Sequence, residues 1–149
     1  MNTINDVSQK PLTGSPYQQG IKNAAEGKKF LAENKQKPGV VATESGLQYK
    51  VINKGSGRQP KSADEVEVHY RGTLLNGQEF DSSYQKGKPA KFRLDQVIAG
   101  WTEGLQLMNK GGKFEFYIPS DLAYGRAGTA GKIGANATLV FEVELLAIK

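Results

Sequence analysis

The chain has 149 residues, 38% of them hydrophobic, with no cysteine, one histidine and a formal net charge of +5. That length encloses a single core, and the missing thiols exclude disulfides, thiolate metal sites, iron–sulfur clusters and a cysteine nucleophile. A lone His69 excludes a multi-histidine metal cage and leaves one place only for a Ser-His-Asp triad.

Residues 1–14 are polar, include Pro11 and Gly14 and carry no periodicity, which predicts a disordered tail. They lack the apolar middle of a signal peptide, and no apolar run approaches the ~20 residues of a membrane span. The expected compartment is the cytoplasm, or the periplasm or exterior if a leader has been removed. Ser15-Pro16 predicts a helix start, a hydroxyl cap followed by a residue whose missing N–H costs nothing. Tyr17, Ile21, Ala24 and Leu31 share one helical stripe, with Phe30 on the opposite face. Gly20 and Gly27 weaken this helix by ~1 kcal/mol each, and Pro38-Gly39 stops it. Residues 15–40 are therefore expected to form a separate helix and linker, lying on its own domain or loose in solvent. A monomer is favoured, with a homodimer through this helix as the alternative.

From residue 47 the period becomes two. Leu47, Tyr49 and Val51 alternate with polar neighbours, as do Val66, Val68 and Tyr70. Asn76-Gly77 predicts a hairpin turn between Thr73-Leu74-Leu75 and Gln78-Glu79-Phe80. Phe92 and Leu94 alternate again, and then Ile98, Trp101, Leu105 and Met108 fall at helical intervals up to Gly111-Gly112. Phe114, Phe116 and Ile118, then Leu139, Phe141, Val143 and Leu145, predict two more strands around a Gly-rich loop near 119–136. The expected class is α+β: an antiparallel sheet burying one face on a single short helix.

The sequence offers little reactive chemistry. Gly55-Ser56-Gly57 has Pro60 where a dinucleotide fingerprint needs its third Gly, and Arg126 and Ile133 spoil a phosphate loop ending at Lys132. Alternation turns His69 away from Val68 and Tyr70, so a solvated or hydrogen-bonded structural role is expected. No calcium-loop pattern exists, and nothing pairs two carboxylates. What stands out is aromatic: Trp101 opens the only helix of the sheet region, Tyr124 sits in the Gly-rich loop, and Asp81 follows Phe80 directly. A nucleic-acid reading would draw on Lys86, Lys88, Lys91 and Arg93 around Phe92, but requires exposed aromatics on that face.

Five blocks together resemble the FKBP-type peptidyl-prolyl cis-trans isomerases. They are Val68-His69-Tyr70-Arg71-Gly72-Thr73-Leu74, Gly77-Gln78-Glu79-Phe80-Asp81-Ser82-Ser83, Val97-Ile98-Ala99-Gly100-Trp101, Ile118-Pro119 with Ala123-Tyr124-Gly125, and Thr138-Leu139-Val140-Phe141. Residues 30–51 look like the bacterial macrophage-infectivity-potentiator branch, whose members often carry a helical amino-terminal dimerisation module. The resemblance covers residues 41–149 and implies an FKBP-like isomerase domain, its antiparallel sheet curved around one short helix. It implies a catalytic set of Tyr70, Asp81, Tyr124 and Phe141. The pocket would be floored by Trp101 and walled by Tyr70, Phe80, Val97, Ile98 and Phe141, with Ile133 on a flap. Implied partners are Pro-containing peptides, unfolded proteins and the macrolide inhibitors tacrolimus and rapamycin, with no cofactor, metal or specific nucleic acid. Ala90 and Lys132 replace larger apolar groups of many relatives, Thr129 stands where some have His, and Lys86 replaces an Arg. A wider, more polar rim is expected.

Such a site needs no nucleophile. An X-Pro bond turns over a barrier of ~18–20 kcal/mol because twisting breaks amide conjugation, and unaided it takes tens to hundreds of seconds. Moving the bond out of water favours the less polar twisted form. Asp81 would lie near the rotating carbonyl or fix the pocket wall. The main competitor is a non-catalytic, chaperone-like module that grips apolar or Pro-containing segments.

Overall fold

A computed structural model describes residues 16–129 and 131–149. The tail expected over residues 1–14 and the Ser15 cap lie outside the described residues. Among the described residues the chain forms seven strands, β1 (Val40–Ala42), β2 (Gln48–Asn53), β3 (Glu65–Leu74), β4 (Glu79–Ser82), β5 (Ala90–Arg93), β6 (Lys113–Ile118) and β7 (Leu139–Ile148). Three α-helices accompany them there: α1 (Pro16–Asn34), α2 (Ser83–Lys86) and α3 (Ala99–Leu105). The strands form one sheet in the order β1-β2-β6-β7-β3-β4, and β5 pairs with β3 on the same edge as β4. Every pairing is antiparallel, as expected from the alternation.

One face of the sheet is the core. Val66, Val68 and Tyr70 of β3, Phe114, Phe116 and Ile118 of β6, and Leu139, Phe141, Val143 and Leu145 of β7 are all buried. The register sets Phe116 opposite Phe141 and Tyr70 opposite Val143, so these rows interlock rather than merely share a side. Helix α3 lies close against this face because it presents no side chain there at two positions. A Cβ on Gly100 would sit 2.6 Å from Ile118, and one on Gly104 2.6 Å from Phe116. Ile98 and Met108, expected on this helix, instead flank it, Ile98 as its amino-terminal cap and Met108 buried beyond its end.

The Asn76-Gly77 turn forms as expected. Gly77 adopts φ 90°, its N–H donates to the Leu74 carbonyl at 3.0 Å, and Asn76 Oδ1 accepts from the Gln78 N–H at 2.8 Å. The short β1 and α2 have no signal in the apolar pattern. Helix α2 is specified instead by the Ser82 hydroxyl, which accepts from the Tyr84 and Gln85 N–H groups, and by Gly87 in the left-handed conformation behind it.

Helix α1 rests on its own chain, but of the apolar stripe expected of it only Leu31 lies on the docked face. Tyr17 is 78% and Ile21 54% exposed, and Ala24 is exposed as well. The docked face runs through Gly20, Asn23, Gly27, Leu31 and Asn34. Asn23 Nδ2 donates to the Ala135 carbonyl at 2.9 Å, Asn136 Nδ2 to the Gly20 carbonyl at 3.2 Å, and Asn34 Nδ2 to Gln48 Oε1 at 2.9 Å. A Cβ on Gly27 would fall 2.2 Å from Thr138 Oγ1. The two glycines that cost helix propensity are the points where the backbone approaches the sheet domain. Phe30, rather than pointing away from that domain, sets its ring 6.0 Å from that of Tyr117.

Candidate active site

The pocket begins with a missing side chain. Gly72 on β3 leaves room for two rings to lie across the strand, since a Cβ there would be 2.6 Å from Phe80 Cζ and 2.7 Å from Phe141 Cε1. Two residues earlier on the same face, Tyr70 points inward. Trp101, in the first turn of α3, meets three rings at steep angles: Tyr70 at 5.3 Å and 87°, Phe92 at 5.3 Å and 80°, Phe141 at 5.4 Å and 84°. Phe80 meets Phe141 in the same manner at 5.4 Å and 89°. Each such edge-on pair contributes about 0.5–1.5 kcal/mol beyond the area it buries, so the aromatic box is rigid. The indole is only 4% exposed, and its N–H is buried without an acceptor among the described residues.

The box is nevertheless open. A cavity of about 650 Å³ stands over Trp101, lined by Tyr70, Phe80, Val97, Ile98, Phe141 and Tyr124, with Asp81 among the polar members. The volume suits a small ligand or a peptide segment. The structure therefore gathers eight of the nine residues expected here. Ile133 is not among the lining residues: it is 5% exposed and lines a separate cavity beside Tyr17 and Ile21 of α1. Its loop folds back on itself, the Thr129 N–H donating to the Ile133 carbonyl at 2.8 Å, which tucks the side chain inward. Its neighbour Lys132 reaches the pocket rim instead, Nζ donating to the Phe80 carbonyl at 3.2 Å.

Sequence reasoning left Phe92 and Gln96 out of the lining. Phe92 was legible as an inward residue of an alternating strand; Gln96 carried no signal, because the turn of 3₁₀ helix that places it (Leu94–Gln96) has no apolar period. Phe92 also answers the nucleic-acid reading, for its ring packs on Tyr70 and Trp101 rather than presenting a face to bases. Of the basic residues around it, Lys86 pairs with Asp81 and Arg93 with Asp95.

The polar wall is a connected set. The Tyr70 hydroxyl donates to Asp81 Oδ2 at 2.6 Å, while Oδ1 accepts the Ser82 N–H at 2.9 Å and Lys86 Nζ at 3.3 Å. Lys86, standing where many relatives have Arg, thus supplies Asp81 with a positive partner. Burial pushes the Asp81 carboxyl up, but the Tyr70 and Lys86 hydrogen bonds and the Lys86 charge outweigh it, so the group is held below the usual carboxylate range. Burial, and then the bond to Asp81, push the Tyr70 phenol well above the ordinary tyrosine range. Tyr124 is 39% exposed on the loop, and its hydroxyl makes no hydrogen bond among the described residues. The Ile98 carbonyl accepts the first bonds of α3, from the Trp101 N–H at 2.9 Å and the Thr102 N–H at 3.1 Å. Among the described residues, no cluster of three or more His, Asp or Glu could hold a metal ion, and no helix is long and apolar enough to cross a membrane.

The sequence matches the family described as FKBP-type peptidyl-prolyl cis-trans isomerase over residues 56–146, and the domain amino-terminal to such isomerases over residues 1–51. It is 58% identical over 129 residues to an FKBP-type isomerase, FkpA, of Aeromonas hydrophila, covering 87% of this chain and 48% of that protein. It is 51% identical over 127 residues to the outer membrane protein MIP of Legionella longbeachae, covering 85% of this chain and 54% of the other. The chain thus spans about half the length of these curated relatives. Among solved structures, FkpA from Escherichia coli superposes with a TM-score of 0.87 at 48% identity, over 90% of this chain and 62% of that one. A peptidyl-prolyl cis-trans isomerase from Pseudomonas syringae gives 0.81 at 40% identity, over 87% and 95%.

Proposed function

Because the chain belongs to the family of FKBP-type peptidyl-prolyl cis-trans isomerases, we propose that it accelerates rotation about X-Pro bonds and so assists protein folding. The observation that carries this is the open cavity over Trp101, walled by aromatic rings and bordered by the Asp81 carboxylate and the Tyr124 hydroxyl. Residues 41–149 form the isomerase domain, and α1 with its linker is an attached module.

The planar imide is polarised, with negative charge on oxygen, and water favours it; the twisted form is less polar. Resting the Pro ring on the Trp101 indole removes that water and lowers the barrier without any bond to the protein. Tyr124 donates its hydroxyl proton in a hydrogen bond to a substrate carbonyl and orients the peptide. Asp81, ionised and facing the cavity, penalises negative charge on the rotating carbonyl oxygen, so the planar form loses more than the twisted one. Tyr70 holds that carboxylate in place, and the edge of Phe141 closes the wall. A thousandfold acceleration asks ~4 kcal/mol of these effects together, at ~1.4 kcal/mol per factor of ten.

The substrates are Pro-containing and unfolded segments, and tacrolimus and rapamycin compete for the same box. The name of the Legionella relative supports the exported alternative over the cytoplasmic one. The test is cis-to-trans relaxation of a short X-Pro-Phe peptide with and without tacrolimus. Acceleration abolished by tacrolimus is expected; binding of the macrolide without acceleration would favour the chaperone-like alternative.

A further inference from the structure

Strand β3 lacks a strand neighbour at one point along its outer edge. There β4 pairs with Arg71–Thr73 and β5 with Glu65–Val68, which leaves His69 and Tyr70 between them. The main-chain groups of Tyr70 on that edge are met by a side chain. Ser83, fully buried, accepts the Tyr70 N–H at 2.8 Å, and its oxygen lies 3.3 Å from the Tyr70 carbonyl and 2.8 Å from His69 Nδ1. A hydroxyl has one proton and two lone pairs, so it accepts from Tyr70 and donates to the carbonyl or to the imidazole. The His69 ring in turn stacks on Tyr84 at 4.6 Å.

Adjacent serines divide the work at this corner. Ser82 caps α2, while Ser83 turns back to β3. Ser83 stands two residues after Asp81, and Asp81 accepts the Tyr70 phenol at 2.6 Å. One segment is therefore tied to Tyr70 twice, at its main chain by Ser83 and at its side chain by Asp81. We propose that Ser83 is a positioning residue for catalysis: its hydroxyl replaces the missing strand partner of Tyr70 and sets the approach of the phenol to the Asp81 carboxylate. Geometry of this kind is costly to lose, because a misplacement of about 1 Å in a supporting group can cost ~10²-fold in rate.

The kinetic half of this inference rests on the isomerase reading; the carboxylate half does not. Two folded variants test it, Ser83→Ala and the near-isosteric Ser83→Cys, which carries the experiment if the alanine variant fails to fold. Each is expected to lower kcat about tenfold with KM changed less than about twofold. In a Tyr70→Phe background, where no phenol remains to be placed, the same change should move kcat by less than about twofold. The Asp81 carboxyl, followed by ¹³C NMR, should titrate at higher pH in either Ser83 variant than in the unaltered chain. Equal losses of kcat in both backgrounds, or an Asp81 titration that does not move, would overturn the proposal. If the unaltered protein accelerates nothing, the isomerase reading falls, and the carboxyl titration alone still decides the role of Ser83.

Discussion

Trp101→Ala destabilises the protein by about 3–5 kcal/mol, the usual cost of removing a large buried ring, and weakens tacrolimus binding by at least about tenfold, or 1.4 kcal/mol. The two effects share one cause. The indole touches Tyr70, Phe92 and Phe141 at nearly right angles, so its loss unpacks three walls together with the floor. Urea denaturation measures the first effect and fluorescence-independent calorimetry the second. Trp101→Phe keeps a flat aromatic surface and should lose much less of both, which separates the missing floor from general unfolding. Unchanged tacrolimus affinity in a folded Trp101→Ala protein would remove the indole from the ligand site.

Asp81→Ala lowers kcat/KM by about 10- to 100-fold, the worth of one charge-assisted interaction of about 1.5–3 kcal/mol expressed as a rate. The fold survives, because Asp81 is half-buried at the rim and its side-chain partners are one phenol and one exposed lysine. Asp81→Asn separates its two duties. The amide still accepts the Tyr70 proton and holds the wall, yet carries no charge to disfavour the polarised carbonyl. A loss in Asn as large as that in Ala assigns the effect to charge; recovery in Asn assigns it to the wall. Peptide relaxation by the two variants, with circular dichroism as the check on folding, decides between them, and full activity in both would exclude Asp81 from catalysis.

The strands were legible because burial on one face writes a period of two, and β3, β6 and β7 show it over six to ten residues. The order in which they pair was not. That β7 lies between β6 and β3 depends on contacts far apart in the chain, such as Phe116 with Phe141, which no local pattern records. For α1 the pattern misled. Apolar spacing pointed to Tyr17, Ile21, Ala24 and Leu31, of which only Leu31 is on the docked face; docking is made by glycines that shorten the approach and by Asn23 and Asn136, which donate across it to the Ala135 and Gly20 carbonyls. At the pocket, residue types drew attention to Trp101 and Tyr124, since a lone Trp opening a helix and a Tyr in a glycine-rich loop are odd places for core residues; the walls of the box came only from the resemblance to the isomerase family. The bond between Tyr70 and Asp81 was invisible, because eleven residues and a turn separate its ends. Ile133 shows the opposite case: placing a residue in a loop says nothing about which way its hairpin tucks the side chain.

In the proposed mechanism, catalysis consists of drying and orienting an imide, with no proton changing hands. The direct measurement is the dependence of kcat/KM on pH between about 8 and 9, above the ordinary histidine range. Asp81, its titration lowered, is already ionised there and gains a proton only as pH falls through that lowered value. Tyr70, its titration raised, keeps its proton throughout. A flat profile is the expected result. A limb of unit slope inside that window would mean that a titrating group takes part in the step, and would contradict rotation without proton transfer.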